Sequence, residues 1–278
     1  MIRKQWAVLA ITAALVLGAI GCGGKAPAPA PTATPDQTAK TMVFSGSASF
    51  ELDLDGDGAA EAIDIVYPKD NEVSDDLEWT LTVTDDGQTD FAVEMAAEFG
   101  STYITDLDPT DGLMDILISY DYFSDDYGFS CFRFVDGALR RSDGAVGFIT
   151  RVENGVITVS GTVDAMGTWS GTRSYRVTET FSFEPASPWV IADAKQNLAE
   201  RPLETIMELP VVLSSGAGVL PSGTRLCITE TDGQTYALFL TEDGKTGRIQ
   251  FERDPEWFTI IIDGQSEELY FDMLPYTG

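Results

Sequence analysis

The sequence contains no histidine and few basic residues: 17 lysines and arginines stand against 45 aspartates and glutamates, a formal net charge of −28. The lack of histidine excludes the commonest general base, the serine–histidine and cysteine–histidine nucleophile pairs, and the usual zinc sites. So acidic a surface repels phosphate backbones and anionic lipid headgroups. We therefore expect no nucleic-acid partner and no electrostatic attraction to a membrane.

Cysteine is also scarce, with Cys22, Cys131 and Cys227 in the whole chain. Cys131 and Cys227 alternate with large apolar neighbours, as buried thiols in strands do. We expect both to be free and buried rather than joined in a disulfide.

The first residues have the composition of an export signal. A basic lead at Arg3 and Lys4 precedes an apolar stretch, 6–20, which is short for a membrane span. Small residues then lead directly to Cys22, and this junction resembles the lipobox of bacterial lipoproteins. The resemblance implies that residues 1–21 are a signal peptide and that the Cys22 thiol carries lipid, which anchors the protein to the outer face of the bacterial cytoplasmic membrane. The alternative is a secreted protein with a coincidental cysteine.

Residues 22–40 are rich in alanine and proline and show no apolar periodicity. Alternating proline favours an extended tether, so we expect a linker between the membrane and the folded part. Because 44% of all residues are apolar, the remaining chain can bury a substantial core.

A dense acidic stretch follows the first predicted strand. Asp53, Asp55 and Asp57 occupy alternate positions, and Glu61 adds a fourth carboxylate. Carboxylates this close repel one another unless a hard cation lies between them, and calcium suits a set of oxygen ligands best. We expect a calcium site formed by these four side chains and the carbonyl of Ala59. The alternative is an Asp/Gly turn without an ion.

The residues after this stretch argue against an EF-hand. The twelfth position of such a loop would be Asp64, which lies in an alternating run that predicts a strand, whereas an EF-hand loop opens a helix. The pattern instead resembles the calcium loop of FG-GAP and VCBS repeats, found in integrin-like propellers and bacterial surface proteins. The resemblance implies a strand–loop–strand unit with a structural calcium ion.

A second acidic stretch repeats the first about fifty residues later, which indicates an internal repeat. Asp106, Asp108, Asp111 and Asp115 match the first loop with one residue inserted, and a strand follows again. The insertion and Pro109 leave two interpretations. These four residues form a second calcium site, or the turn keeps the shape of the repeat without its ion.

Alternating apolar residues and glycine-containing turns predict antiparallel strands from residue 41 to 190. Residues 91–95 fit either a strand or a short helix. Trp169 and Trp189 fit a core position better than a sugar-stacking one. Elsewhere in the mature chain, helical character appears only in 192–208, where Pro202 interrupts it, and we expect 191–202 to connect two domains.

The segment 203–278 has short strands and frequent turns, which suits a small barrel that folds alone. It resembles a bacterial SH3-like domain at Pro210-Val211, at 221–224 and at 244–249. Tyr236 and Arg248 stand where that family often has tryptophan, which weakens any ligand groove that the resemblance implies.

These observations predict an all-β protein in which antiparallel, propeller-like FG-GAP repeats at 41–190 precede an SH3-like barrel at 203–278. The expected function is non-enzymatic: a lipid-anchored cell-surface module with calcium-stabilised repeats that binds a protein or a cell-wall glycan. One alternative is a carboxylate-dependent extracellular hydrolase, which only the surplus of acidic residues favours. The other is a structural accessory subunit of an envelope complex.

Overall fold

The computed structural model describes residues 41–67, 78–95, 98–122, 126–256 and 259–276. The predicted signal peptide, the linker and the lipidated Cys22 lie outside these residues. In the described part of the chain, no helix has the length and apolar character needed to cross a membrane.

Nearly all of the regular structure is β. The strands are β1 (Met42–Phe44), β2 (Ala48–Leu52), β3 (Glu61–Val66), β4 (Glu78–Asp85), β5 (Gln88–Met95), β6 (Glu98–Thr105), β7 (Asp115–Tyr122), β8 (Asp126–Val135), β9 (Ala138–Val146), β10 (Phe148–Glu153), β11 (Val156–Asp164), β12 (Thr168–Val177), β13 (Phe183–Pro185), β14 (Trp189–Ile191), β15 (Leu203–Glu204), β16 (Leu209–Leu213), β17 (Gly216–Leu220), β18 (Arg225–Thr231), β19 (Tyr236–Thr241), β20 (Thr246–Gln250), β21 (Glu252–Arg253), β22 (Ile260–Ile262) and β23 (Gln265–Ser266). The helix α1 spans Ala194–Glu200, and a 3-10 helix spans Glu267–Leu269.

Three successive four-stranded meanders make up the first part of the fold. In each of β2–β5, β6–β9 and β10–β13, every strand pairs antiparallel with the next one along the chain. The strand β1 pairs with β6, so it belongs to the second meander although the chain runs from it into the first. The first predicted acidic loop joins β2 to β3 in the first meander, and the second joins β6 to β7 in the second meander. The third meander, which the sequence did not reveal as a repeat, has only a tight turn at that place.

Tight turns close several of these hairpins. Asp86-Gly87, Asp136-Gly137 and Asn154-Gly155 have positive φ at both residues. This is the type I′ geometry that matches the twist of paired strands and that Asn-Gly and Asp-Gly favour. The glycine-containing turns between antiparallel strands that the sequence predicts are confirmed at these dipeptides.

The central strand β7 of the second meander is buried on both faces. Residues 115–120 of β7 contain no exposed side chain. Ile116 and Ile118 pack in one apolar cluster with Ile63 and Trp79 of the first meander. Leu117 packs in another cluster, which includes Ile157 of the third. The three meanders are therefore stacked as layers.

The largest sheet crosses the expected domain boundary. It has 11 strands, with the order β10-β11-β12-β14-β18-β19-β20-β16-β17 along its path, and β13 and β15 pair at its side. The strand β14 precedes the predicted connector and β18 follows it, and the two pair through Trp189 and Thr231. The chain from 39 to 278 forms one compact unit, and α1 lies inside it. The predicted connector at 191–202 therefore does not separate two hydrophobic cores.

Several local expectations are confirmed. The segment 91–95 belongs to a strand, β5, rather than a helix. Trp169 and Trp189 are buried in the core. Cys131 and Cys227 are free and buried, and removal from water raises the pKa of both thiols. The antiparallel sheets of the described chain are open, and β10 and β17 end the path of the largest.

Candidate metal centre

The first acidic loop connects β2 to β3. One carboxylate oxygen from each of Asp53, Asp55 and Glu61 lies within 4.8 Å of the other two. It is the one such group of three or more potential ligand side chains in the described part of the chain. Carboxylate oxygens at this spacing are the donor set that hard divalent cations prefer.

Glu61 is the buried member of this group. It is only 1% exposed, and its Oε2 accepts a hydrogen bond of 2.6 Å from the backbone N–H of Leu54. Burial raises the pKa of Glu61, and the negative charges of Asp55 and Asp53 raise it further, against the effect of that hydrogen bond. No described lysine or arginine forms an ion pair with Glu61. A buried carboxylate without a basic partner is costly unless it takes up a proton or a cation.

The other two carboxylates shape the loop. Asp53 accepts hydrogen bonds from the backbone N–H groups of Gly56 at 2.7 Å and Gly58 at 3.0 Å. Asp55 accepts one from the N–H of Asp57 at 3.2 Å. These bonds fold the loop back on itself and hold Asp53 and Asp55 on the same side as Glu61.

One predicted side-chain ligand, Asp57, lies outside this group. Asp57 is exposed at the tip of the loop, and its carboxylate accepts a hydrogen bond of 2.7 Å from the N–H of Ala59. Ala59 is exposed as well. The structure thus brings together three of the predicted side-chain ligands and places the fourth, Asp57, outside the cluster.

The second acidic loop has a buried carboxylate with the same kind of backbone hydrogen bond as the first, but its charges are arranged differently. Asp115 is fully buried at the start of β7, and its Oδ2 accepts a hydrogen bond of 3.2 Å from Leu107 N–H, as Glu61 does from Leu54. The guanidinium of Arg133 pairs with both of its oxygens, at 2.8 and 2.9 Å. Arg133 also reaches Asp111 at 2.9 Å. A side chain of the protein itself therefore supplies the positive charge in this loop.

The remaining predicted ligands of the second loop have their own local contacts. Asp108 accepts a hydrogen bond of 2.6 Å from the Thr110 hydroxyl, which lowers the pKa of Asp108. Burial raises the pKa of Asp106, and one of its carboxylate oxygens is buried without a hydrogen-bond partner. The expected second site is thus a loop in which Arg133 contacts two of the four predicted ligands.

Strand register explains why the two loops differ. In the second meander, Asp115 of β7 is directly opposite Arg133 of β8. In the first, the pairing of β3 with β4 ends at Ala62 opposite Thr84, and the next residues in line on the two strands are Glu61 and Asp85. Where one loop has an arginine, the other has a further carboxylate. Partial removal from water raises the pKa of Asp85, as do the charges of the nearby Asp86, Asp57 and Asp55.

Sequence reasoning missed both Arg133 and Asp85, because each lies far along the chain from its loop. Aligning the two meanders strand by strand would have found them, since both occupy the position opposite the last acidic residue of the loop.

Comparison of the chain with protein-family models, with curated proteins and with solved structures finds no match. The functional conclusion therefore depends on the geometry of the two loops.

Proposed function

We propose that this chain is a non-enzymatic, lipid-anchored cell-surface protein that binds a protein or a cell-wall glycan. In this proposal, lipid on Cys22 attaches the exported protein to the outer face of the bacterial cytoplasmic membrane. Calcium in the first acidic loop stabilises its propeller-like β repeats, and the C-terminal segment is SH3-like. Consecutive four-stranded meanders support the propeller-like interpretation, because each blade of a propeller has that architecture.

The calcium proposal depends on one observation above all. The second loop neutralises its buried carboxylate with Arg133, whereas the corresponding position in the first loop is Asp85. The first loop therefore concentrates negative charge around a buried Glu61, and no basic side chain in the described part of the chain pairs with it. Oxygen-only donors fit calcium, and Asp53, Asp55 and Glu61 are the side chains that would hold the ion.

A stabilising role follows from the place of the loop. The carbonyl of Leu54 accepts a hydrogen bond of 2.8 Å from the N–H of Met114 in the second loop. A Cβ at Gly56 would lie 2.8 Å from the carbonyl oxygen of Gly112. The two loops are thus in direct contact, and an ion that orders the first supports the junction between the first two meanders.

The test is thermal unfolding of residues 39–278 in calcium, in magnesium and in chelator. With a dissociation constant of about 0.1 mM and about 1 mM calcium, linkage gives about 1.4 kcal/mol of stabilisation, or about 4 °C in melting temperature. Glu61→Gln should abolish this response, whereas Asp57→Asn, which changes an exposed carboxylate outside the cluster, should retain most of it. Identical wild-type melting curves in calcium and in chelator would overturn the proposal of a stabilising ion.

A carboxylate-dependent hydrolase is the second candidate. The observation that favours it is the raised pKa of Glu61 beside Asp53 and Asp55, a combination that glycosidases use for general acid catalysis. Against it, an acid catalyst must touch its substrate, and Glu61 is buried beneath the loop. Hydrolysis of a glycan or ester panel that Glu61→Gln abolishes would establish the enzyme and reject the non-enzymatic proposal.

The ligand class is tested with the same 39–278 protein. Co-sedimentation with purified cell wall would indicate a glycan ligand. A discrete partner recovered from envelope extract would indicate a protein ligand or an accessory role in a complex.

A further inference from the structure

The largest sheet ends at a strand with one open side. The strand β17 pairs with β16, and no other described strand pairs with it. An open edge presents unpaired backbone N–H and C=O groups, which are a template for another extended chain.

The register identifies which groups face outward. The hairpin β16–β17 turns through two residues, so that Leu213 is opposite Gly216. In such a hairpin the pair that closes the turn exchanges hydrogen bonds, and every second pair after it does the same. The backbone groups of Gly218 therefore point toward β16. Those of Ala217 and Val219 point toward the open side.

The edge lacks the features that usually block such pairing. From Leu209 to Thr224 the sequence has no charged side chain, in a chain of which 22% is charged. The other sheet-ending strands of at least five residues in the described chain, β2, β5, β9 and β10, each carry charged residues. Charged side chains and bulges are the common protections of an edge, and β17 has neither.

The exposed face of this hairpin is apolar. Val212 is opposite Ala217, and Pro210 is opposite Val219. Val219 is 53% exposed and Val212 is 38% exposed. A strand added beside β17 would place alternate side chains next to Val219 and Ala217, where apolar residues would be covered.

The net negative charge of the chain favours a basic partner over a second copy of itself. Two copies of a chain with net charge −28 repel each other, whereas a basic segment is attracted. The hairpin borders a cavity of about 820 Å³ that also presents Glu252 and Asp263. It contains one basic side chain, Arg248, whose guanidinium lies 4.1 Å from the ring centroid of Tyr236.

We propose that β17 is a docking edge for an extended, basic segment of a partner protein, which joins the sheet as an additional strand. Main-chain hydrogen bonds to Ala217 and Val219 supply the contact, and alternating apolar side chains cover the exposed face. This inference specifies the protein ligand of the proposed binding function and rests on that proposal, but not on the calcium site.

The test uses residues 39–278 and a short capped peptide of alternating lysine and valine. Binding is measured by fluorescence anisotropy, and amide hydrogen exchange is followed by NMR. We expect slower exchange at Ala217 and Val219 on binding, with little change at Gly218, because its N–H already donates within the hairpin. A peptide with glutamate for lysine tests the charge, and one with N-methylated backbone nitrogens tests the hydrogen bonds; both should bind at least about fivefold more weakly.

The matched variants are Val219→Pro and Val219→Thr. Val219→Pro removes one outward N–H and no bond within the hairpin, so the peptide should bind about fivefold more weakly. Val219→Thr keeps the N–H and should retain most of the affinity. Val219→Lys is a second variant in which the edge is blocked. It should also bind the peptide more weakly, because it places a positive charge beside the basic peptide.

Equal binding of the N-methylated peptide, no change in exchange at Ala217 and Val219, or unaltered affinity in both blocked variants would overturn the proposal. Self-association that Val219→Pro abolishes, without peptide binding, would also overturn it by assigning the edge to a second copy. The peptide measurements are repeated in chelator. Because β17 and the acidic loop belong to different sheets, failure of the calcium proposal would leave this result unchanged.

Discussion

Replacing Arg133 with methionine tests whether a guanidinium takes the place of an ion in the second loop. Arg133→Met keeps an apolar stem and removes the positive charge that pairs with both oxygens of the fully buried Asp115. Breaking a buried ion pair by removing one partner costs about 3–5 kcal/mol, because the remaining charge is uncompensated. The contact with the partly exposed Asp111 adds little, since solvent screens it. The loss is a large part of a typical unfolding free energy of about 5–15 kcal/mol.

The assay is equilibrium denaturant unfolding in chelator, arranged as a double-mutant cycle with Asp115→Asn. The asparagine still accepts the hydrogen bond from Leu107 but carries no charge. We expect the double variant to recover much of the stability that Arg133→Met loses. Arg140→Met is the matched control, because Arg140 forms an exposed ion pair with Asp136 at 3.6 Å and should change stability by no more than about 1 kcal/mol.

Calcium then distinguishes the role of the charge from that of packing. Without the guanidinium, Asp106, Asp108, Asp111 and Asp115 form an acidic loop like the first one, so millimolar calcium should restore part of the stability of Arg133→Met. It should restore none in the double variant. A loss below about 1 kcal/mol in Arg133→Met, or a double variant as unstable as the single one, would refute charge compensation by Arg133.

Three further predictions follow from the same contacts. Gly56→Ala should destabilise the protein more than Gly58→Ala by at least about 1 kcal/mol in thermal unfolding. Both residues have positive φ, but only at Gly56 would a Cβ approach the Gly112 carbonyl, so equal losses of stability would contradict that contact. In chelator, Glu61→Gln should be more stable than wild type at about pH 7, and this difference should vanish as the pH falls to about 4. Because burial raises the pKa of Glu61 in the folded state, its protonated form costs the folded state little, whereas its ionised form at higher pH destabilises the folded state. A stability difference that stays constant across this pH range would contradict this reasoning. The fragment 203–278 should show no cooperative unfolding transition, because β18 loses its partner β14 and the shared core is cut; a sharp transition in circular dichroism would restore the two-domain prediction.

The parts of the fold that could be predicted from sequence depend on local chemistry. Asp86-Gly87 and Asn154-Gly155 mark their hairpins because few residues adopt positive φ at both positions of a turn. The acidic group at Asp53, Asp55 and Glu61 was visible because its members lie within one loop. In both cases neighbouring residues carry the information.

What sequence reasoning missed depends on pairing between distant residues. Arg133 meets Asp115 only through the register of β7 and β8, and no local pattern specifies that register. The pairing of β14 with β18 joins segments that appeared to be separate, because the helix and Pro202 between them resemble a linker. The third meander was not recognised because its first turn is tight and has no acidic loop to align.

The course of β1 has a mechanical consequence. Although β1 precedes the first meander, it hydrogen-bonds to β6 in the sheet that is packed on both faces. A pull on the chain ahead of residue 41 would therefore enter the molecule through that inner sheet and not through the outer first meander. Tension applied there must break the β1–β6 ladder before it reaches the first acidic loop. In the proposed tethered protein, tension on the N-terminal segment would thus leave the first meander unloaded until β1 separates from β6.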